Sequence, residues 1–170
     1  MTLMDADYRF RSVTPADLPL LREWRRRPHW VEWWGSAEED EGFLEEAMAD
    51  PNIDAWIVEL DGLAFAYAQD YDPHAWPAHP FGHLPTGARG IDQSIGDPGL
   101  IGRGHGSAFV RRHVERLFEA GAPAVGTDPH PDNKRAIRAY EKAGFAVRAG
   151  PVDTPWGRCL LMERWRAPGP

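Results

Sequence analysis

Residues 90 to 120 constrain this chain more than any other segment. Gly90-Ile-Asp-Gln-Ser-Ile95 reads as a strand and Gly96–Gly106 as a glycine-rich turn. A helix then runs from about Gly104 to Ala120, with Val110, Val114, Leu117 and Phe118 at i, i+4, i+7 and i+8. Gly102, Gly104 and Gly106 let the backbone approach a ligand without Cβ interference. The helix N-terminus behind them offers unpaired N–H groups and a partial positive charge, which suits a pyrophosphate. Arg103 could add a charge-assisted contact. The known nucleotide motifs do not fit. No Gly-Lys followed by Ser or Thr occurs, and GRGHGS spaces its glycines as G-x-G-x-G rather than G-x-G-x-x-G. Glycines also serve simply to make tight strand–helix turns, so the turn alone leaves phosphate binding open.

The rest of the chain reads as one continuous α/β pattern without internal repeats. Alternation of Tyr8, Phe10 and Ser12 with Arg9 and Arg11 predicts a strand near 7–12. Thr14-Pro15 looks like an N-cap and first-turn proline, opening a helix to roughly Arg25 that buries Leu18, Leu21 and Trp24. Pro28 ends it. Ser36 and Glu39 match a capping box for a second helix carrying Phe43, Leu44 and Met48. Ile53–Leu60 and Leu63–Gln69 flank Asp61-Gly62, a strong hairpin signal. Residues 71–87 carry four prolines and three histidines with no period, and read as a long irregular loop of the kind used for binding. A strand at 122–127, a helix at 133–143 stopped by Gly144, and strands near 145–150 and 158–165 complete the order β-α-α-β-β-β-α-β-α-β-β.

Composition narrows the partners. At 170 residues, one domain is expected. The formal net charge of −7 disfavours nucleic acid, and it suits a cationic small substrate. The Arg22, Arg25, Arg26 and Arg27 cluster is expected to face solvent at a helix end. No apolar run is long enough for a membrane span, and MTLMDADYRF lacks the basic patch and apolar run of a secretory signal. A single cysteine, Cys159, excludes an internal disulfide framework and is read as core. A reducing, cytoplasmic setting fits. His74, His79 and His83 match no standard zinc spacing, so no metal is expected.

Ile101-Gly-Arg-Gly-His-Gly106 resembles the acyl-CoA pyrophosphate loop of the GNAT acetyltransferase superfamily, usually Gln/Arg-x-x-Gly-x-Gly/Ala, with Ile101 as a departure at its first position. The segments Gly90-Ile-Asp-Gln93, Thr127-Asp-Pro-His-Pro-Asp-Asn133 and Arg135-Ala-Ile-Arg-Ala-Tyr-Glu-Lys-Ala-Gly-Phe145 resemble bacterial aminoglycoside 6′-N-acetyltransferases. Trp30-Val-Glu-Trp-Trp-Gly35 resembles that family's tryptophan-containing substrate wall. The resemblance implies a single-domain GNAT fold, α/β (α+β), with a mixed, mostly antiparallel central sheet flanked by helices. It also implies acetyl-CoA as cosubstrate and direct attack of an amine on its thioester.

An alkylamine is mostly protonated at neutral pH, so the reaction needs a group to accept its proton or hold it. Asp92, on the strand entering the glycine turn, is the candidate; the alternative is a solvent-facing strand aspartate. Main-chain N–H groups of Gln93, Ser94 or Ile95 could stabilise the oxyanion. The resemblance implies that Tyr140 protonates the departing thiolate, although a helix tyrosine packed on the sheet is the commoner fate. Ile101, Gly102, Arg103, Gly104, His105, Gly106 and Ser107 would cradle the pyrophosphate. By resemblance, Asn133 contacts CoA, and Lys142 could meet a CoA phosphate. For a polycationic acceptor, carboxylates and aromatic faces are wanted: Trp33, Trp34, Asp72, Asp92 and Asp128. The run Glu38-Glu-Asp-Glu41 could contribute or could be helix-start charge, and the tryptophans could be core.

Two rivals stand beside aminoglycoside acetylation. One is the same chemistry on a non-sugar amine, such as a hydroxylysine-type siderophore precursor or a metabolite. The other is a non-catalytic acyl-CoA-binding sensor, which would need neither Asp92 nor Tyr140. A monomer or a homodimer is compatible with the sequence.

Overall fold

A computed structural model describes residues 6–36, 38 and 42–167. Among the described residues, one mixed sheet of seven strands, running across the sheet as Tyr8–Ser12 (β1), Ile53–Leu60 (β2), Leu63–Tyr71 (β3), Arg89–Ile95 (β4), Ala124–Thr127 (β5), Gly157–Trp165 (β7) and Ala146–Thr154 (β6), is accompanied by five α-helices. The elements are β1 (Tyr8–Ser12), α1 (Leu18–Arg25), α2 (Pro28–Trp34), α3 (Phe43–Ala49), β2 (Ile53–Leu60) and β3 (Leu63–Tyr71). There follow β4 (Arg89–Ile95), α4 (His105–Glu119), β5 (Ala124–Thr127), α5 (Lys134–Lys142), β6 (Ala146–Thr154) and β7 (Gly157–Trp165). The pairs β1–β2, β5–β7 and β6–β7 are antiparallel, and β4–β5 is parallel. Two compact units are distinguishable: the chain up to Asp70 with Gln93–His105, and Tyr71–Asp92 with Gly106 onward.

In the first unit, Leu21, Trp24, Trp30, Leu44, Ile57 and Tyr67 form the core, with Trp34 and Phe43 packed against it. The hairpin is as expected: Asp61 and Gly62 both take positive φ, 51° and 82°, the conformation a two-residue turn between twisted strands requires. Thr14-Pro15 opens a 3₁₀ turn that leads into α1. Three expectations are corrected. Pro28 does not merely stop α1; it occupies the first turn of α2, where its missing N–H costs nothing. Ser36 does not cap α3, which starts at Phe43 after Gly42; Glu39 lies outside the described residues. Arg25 does not face solvent: it is buried with its guanidinium 5.1 Å from the centre of the Phe43 ring, whereas Arg22 pairs with Glu45 and Arg27 with Glu23.

An ion cluster ties β1 to the turn before α1. Arg11 forks onto both oxygens of Asp17, at 2.7 and 2.9 Å, and onto Glu59 at 2.8 Å. The Thr14 main-chain N–H and hydroxyl also donate to Asp17. The Arg11 fork is the main reason the Asp17 carboxyl is held down at about 2, against an ordinary 3.8. A carboxyl depressed on folding stabilises above its unfolded pKa, and that contribution is lost as pH falls from about 4 through 2. Asp17→Asn is therefore expected to cost on the order of 2 kcal/mol at pH 7 and much less at pH 2. Urea midpoints of both proteins at the two pH values check this.

In the second unit, Phe81, Leu84, Ala88, Ala124, Cys159 and Leu161 form a core cluster. The 71–87 segment is thus not only a surface loop: Phe81 and Leu84 fix its middle into the interior. Its histidines brace it separately. His74 bonds Asp72 and the Leu84 carbonyl, His79 accepts the Phe81 N–H, and His83 contacts the Pro80 carbonyl and, at 2.5 Å, Glu163 of β7. On α4 the buried positions are Phe109, Val110, His113 and Val114, so the buried stripe lies nearer the N-terminus than the sequence period suggested. The last two strands are longer than expected and meet at Pro155-Trp156.

Candidate active site

The site begins with two glycines. On the parallel pair β4–β5, Gly90 faces Gly126. A Cβ on Gly90 would fall 2.2 Å from Cζ of Tyr71, and one on Gly126 would fall 2.7 Å from the Phe81 ring. The bare backbone thus lets two aromatic rings pack against one sheet face. Side chains alternate along a strand, so residues two further on share that face. Those residues are Asp92 and Asp128.

Register and electrostatics agree. Burial first, then the Asp92 charge, push the Asp128 carboxyl up to about 7. The opposing influences are hydrogen bonds from Trp156, Cys159 and the Asp128 backbone. The Trp156 indole N–H donates to Asp128 Oδ2 at 2.8 Å. Burial is the chief cause that puts the Tyr71 hydroxyl well above 10, followed by Asp92, Asp128, Cys159 and Tyr140 in that order. Tyr71 therefore stands among both carboxylates and Tyr140, and the fold brings Asp92, Asp128 and Tyr140 into one neighbourhood.

Aromatic rings continue outward from Tyr71. Its ring lies 5.8 Å from Trp76 and 5.4 Å from His79, both edge-on, and His79 stacks on Trp156 at 5.4 Å with 29° between planes. Because His79 Nδ1 accepts the Phe81 N–H, its proton sits on Nε2; burial lowers its pKa, with His74 contributing. A cleft of about 500 Å³ opens in this loop, lined by Pro73, His74, Trp76, His79, Pro80 and His83 among others. Among the described residues no group of three or more His, Cys, Asp or Glu could hold a metal.

Other predicted residues take different places. Asp72 uses its Oδ1 locally, accepting the His74 N–H at 2.9 Å as the cap of a 3₁₀ turn. Tyr140 is buried on α5, 5.7 Å from the Phe145 ring. Asn133 caps α5, its Oδ1 accepting the Ala136 N–H at 3.1 Å. Lys142 is exposed in the last turn of that helix. In the first unit, Trp34 packs on Trp30, Phe43 and Tyr67, while Trp33 is half-buried. Glu38 is exposed; Glu39, Asp40 and Glu41 lie outside the described residues.

For the pyrophosphate cradle, Gly102 and Gly104 adopt φ of 75° and 88°, and nothing lies within 4 Å of a Cβ at Gly102. That is a turn built for a close approach, and Arg103 between them is exposed. The His105 side chain faces inward, bonded to the Tyr8 hydroxyl at 2.8 Å and edge-on to Phe65, so its contribution to a ligand would come from the main chain. Gly106 and Ser107 continue the first turn of α4, and Ile101 is half-buried before it. On β4, Arg89 and Gly90 pair with Val125 and Gly126 of β5, and the strand runs on through Gln93, Ser94 and Ile95. His29 bonds the Ile95 carbonyl at 2.7 Å, and Arg27 the Gly96 carbonyl at 3.0 Å, holding this strand end.

Sequence reasoning missed Tyr71 and Trp156, which carry no motif, whereas His79 stands in the histidine-bearing loop singled out as a binding segment.

The chain is similar to known proteins over most of its length. The family model described as the acetyltransferase (GNAT) domain matches residues 14–153. The aminoglycoside N(6′)-acetyltransferase type 1 of Klebsiella pneumoniae is 38% identical over 168 residues, covering 92% of this chain and 82% of that protein. A kanamycin resistance protein of Rhizobium radiobacter is 48% identical over 81 residues, covering 47% of this chain and 74% of the relative. The crystal structure of aminoglycoside acetyltransferase AAC(6′)-Ib with coenzyme A and kanamycin superposes with a TM-score of 0.83 at 37% identity, covering 94% of this chain and 95% of the other.

Proposed function

The chain belongs to the GNAT acetyltransferase family, and from that premise we propose that residues 1–170 act as one domain transferring an acetyl group from acetyl-CoA to the 6′-amine of aminoglycosides. The observation that carries the reading is the Asp92–Asp128 pair beside Tyr71, set on one sheet face by the Gly90–Gly126 register. Two carboxylates bordered by aromatic rings suit an acceptor bearing several ammonium groups.

Acetyl-CoA supplies an activated acyl group as its thioester. Gly102 fits its pyrophosphate because it leaves the turn open to a ligand, Gly104 shares its positive φ, Arg103 adds charge, and the first N–H groups of α4, at His105, Gly106 and Ser107, donate to it. Asp92 holds the reacting amine and takes its proton. Main-chain N–H groups among Gln93, Ser94 and Ile95, the residues immediately after Asp92, stabilise charge on the acetyl oxygen. Tyr140 returns a proton to the departing sulfur. Asp128 anchors a second amine. Asn133 and Lys142 complete the CoA contacts, and Trp33, Trp34 and Asp72 the acceptor wall.

Free-thiol release with acetyl-CoA tests this across kanamycin-type aminoglycosides, polyamines, lysine and hydroxylysine. Saturable release with kanamycin and product acetylated at the 6′-amine is expected. Release only with a non-sugar amine would keep the mechanism and discard the acceptor. Silence across the panel with CoA still bound would favour a binding module.

A further inference from the structure

Trp156 stands at the tip of the β6–β7 hairpin, where Thr154 pairs with Gly157 and the Thr154 hydroxyl donates to the Gly157 carbonyl at 2.7 Å. The indole is 54% exposed, so its place in the site depends on what fixes it. Two contacts do, from different directions: the N–H bond to Asp128 Oδ2 and the stack on His79. The hairpin is itself closed by its own backbone and by Thr154, so neither contact is needed to form the turn.

We propose that Trp156 is a positioning residue, whose indole N–H holds the Asp128 carboxylate as the second amine anchor beside Asp92 and whose ring ties that anchor to the 71–87 loop through His79. The inference rests on the reading of Asp92 and Asp128 as the acceptor-amine site. Asp128 needs such a partner. It lies within electrostatic reach of a second carboxylate, and a like-charge pair tends to keep one proton. The titratable groups around it are Asp92 on β4, Tyr71 at the end of β3 and Cys159 on β7; His79 reaches it through the indole. None of these is a cation that would hold Asp128 ionised. The Trp156 N–H favours the charged form, as does the Cys159 thiol.

The sign follows directly. A carboxyl titrating at about 7 gains charge as pH rises through neutrality, and acceptor binding improves with it. Deleting the N–H donor moves that midpoint upward. Trp156→Phe keeps an aromatic face for His79 but has no N–H, so it separates the two contacts.

Two measurements test the proposal. In the first, the Asp128 carboxyl is titrated by ¹³C NMR in the ligand-free protein; Trp156→Phe is expected to raise its midpoint by about one pH unit, the size of one lost charge-assisted hydrogen bond. An unchanged midpoint in a folded variant overturns the proposal regardless of any activity. In the second, KM for kanamycin is measured from pH 6 to 9. Trp156→Phe is expected to raise it about fivefold near pH 7, converging on wild type at pH 9, with KM for acetyl-CoA unmoved. In an Asp128→Asn background the same change should have no further effect. If Asp128→Asn leaves KM untouched, the reading of Asp128 as an anchor fails. If it raises KM while Trp156→Phe follows the wild-type pH profile, the positioning role alone fails.

Discussion

Asp92→Asn is expected to lower turnover of an amine acceptor by 10²- to 10⁴-fold, the range lost when a positioned acid–base group is removed. The substitution preserves shape and removes the charge and the proton acceptor together. Affinity for acetyl-CoA should stay within about tenfold, because the proposed cradle lies in the glycine turn and not at Asp92. A second consequence distinguishes this residue from a bystander. The Asp92 charge helps to push Asp128 up to about 7, so removing it should move the Asp128 midpoint down toward the ordinary carboxyl range. The remaining activity would then show its acidic limb at lower pH. Parallel pH profiles of wild type and Asp92→Asn read out both effects. A wild-type rate would remove the mechanism, and an unmoved Asp128 midpoint would separate the two carboxylates.

The largest expected effect on stability belongs to Gly90→Ala. The added Cβ would meet Cζ, Cε2 and Oη of Tyr71 at 2.2, 2.3 and 2.5 Å. Tyr71 is buried, with its ring edge-on to Trp76 and His79, so any shift of the ring disturbs both contacts. Overpacking of this kind costs about 3 kcal/mol or more where neither strand nor ring can yield. Urea denaturation of Gly90→Ala should show that loss. The double variant Gly90→Ala with Tyr71→Ala should lose less than the sum of the single changes, because removing the ring relieves the clash. Additive losses would mean that the ring and the glycine do not depend on one another. Gly126→Ala is expected to behave similarly but more mildly, with Phe81 at 2.7 Å.

The order of elements was legible because its signals are local. Thr14-Pro15, Asp61-Gly62 and the 3.6 period of residues 104–120 each act within a few residues of themselves. The missed helix shows the limit of local reading. Pro28 both excludes continuation of α1 and suits the first turn of α2, and the sequence pattern around it looks the same in either role. Arg25 was misread for a related reason: a cation near a helix end is normally solvated, and the Phe43 ring that lies against its guanidinium is remote in sequence.

The site divides in the same way. Asp92, Asp128, Tyr140 and the Gly102–Gly106 turn were nameable from their motifs. That the first three share a neighbourhood depends on the β4–β5 register and on what the second unit packs over Gly90 and Gly126. A motif records which chemistry a chain carries. It does not record that Tyr71 stands among the carboxylates, that His79 lies on Trp156, or that Asp128 titrates near neutrality, because burial and distance between remote residues exist only once the chain is folded. By itself, then, the sequence determined the family and most of the α/β order, whose signals lie within single segments, and it named the candidate reacting groups. The surroundings of the two carboxylates and the contact of the last hairpin with Asp128 were decided by tertiary structure, which alone sets the dielectric and the donors around each charge.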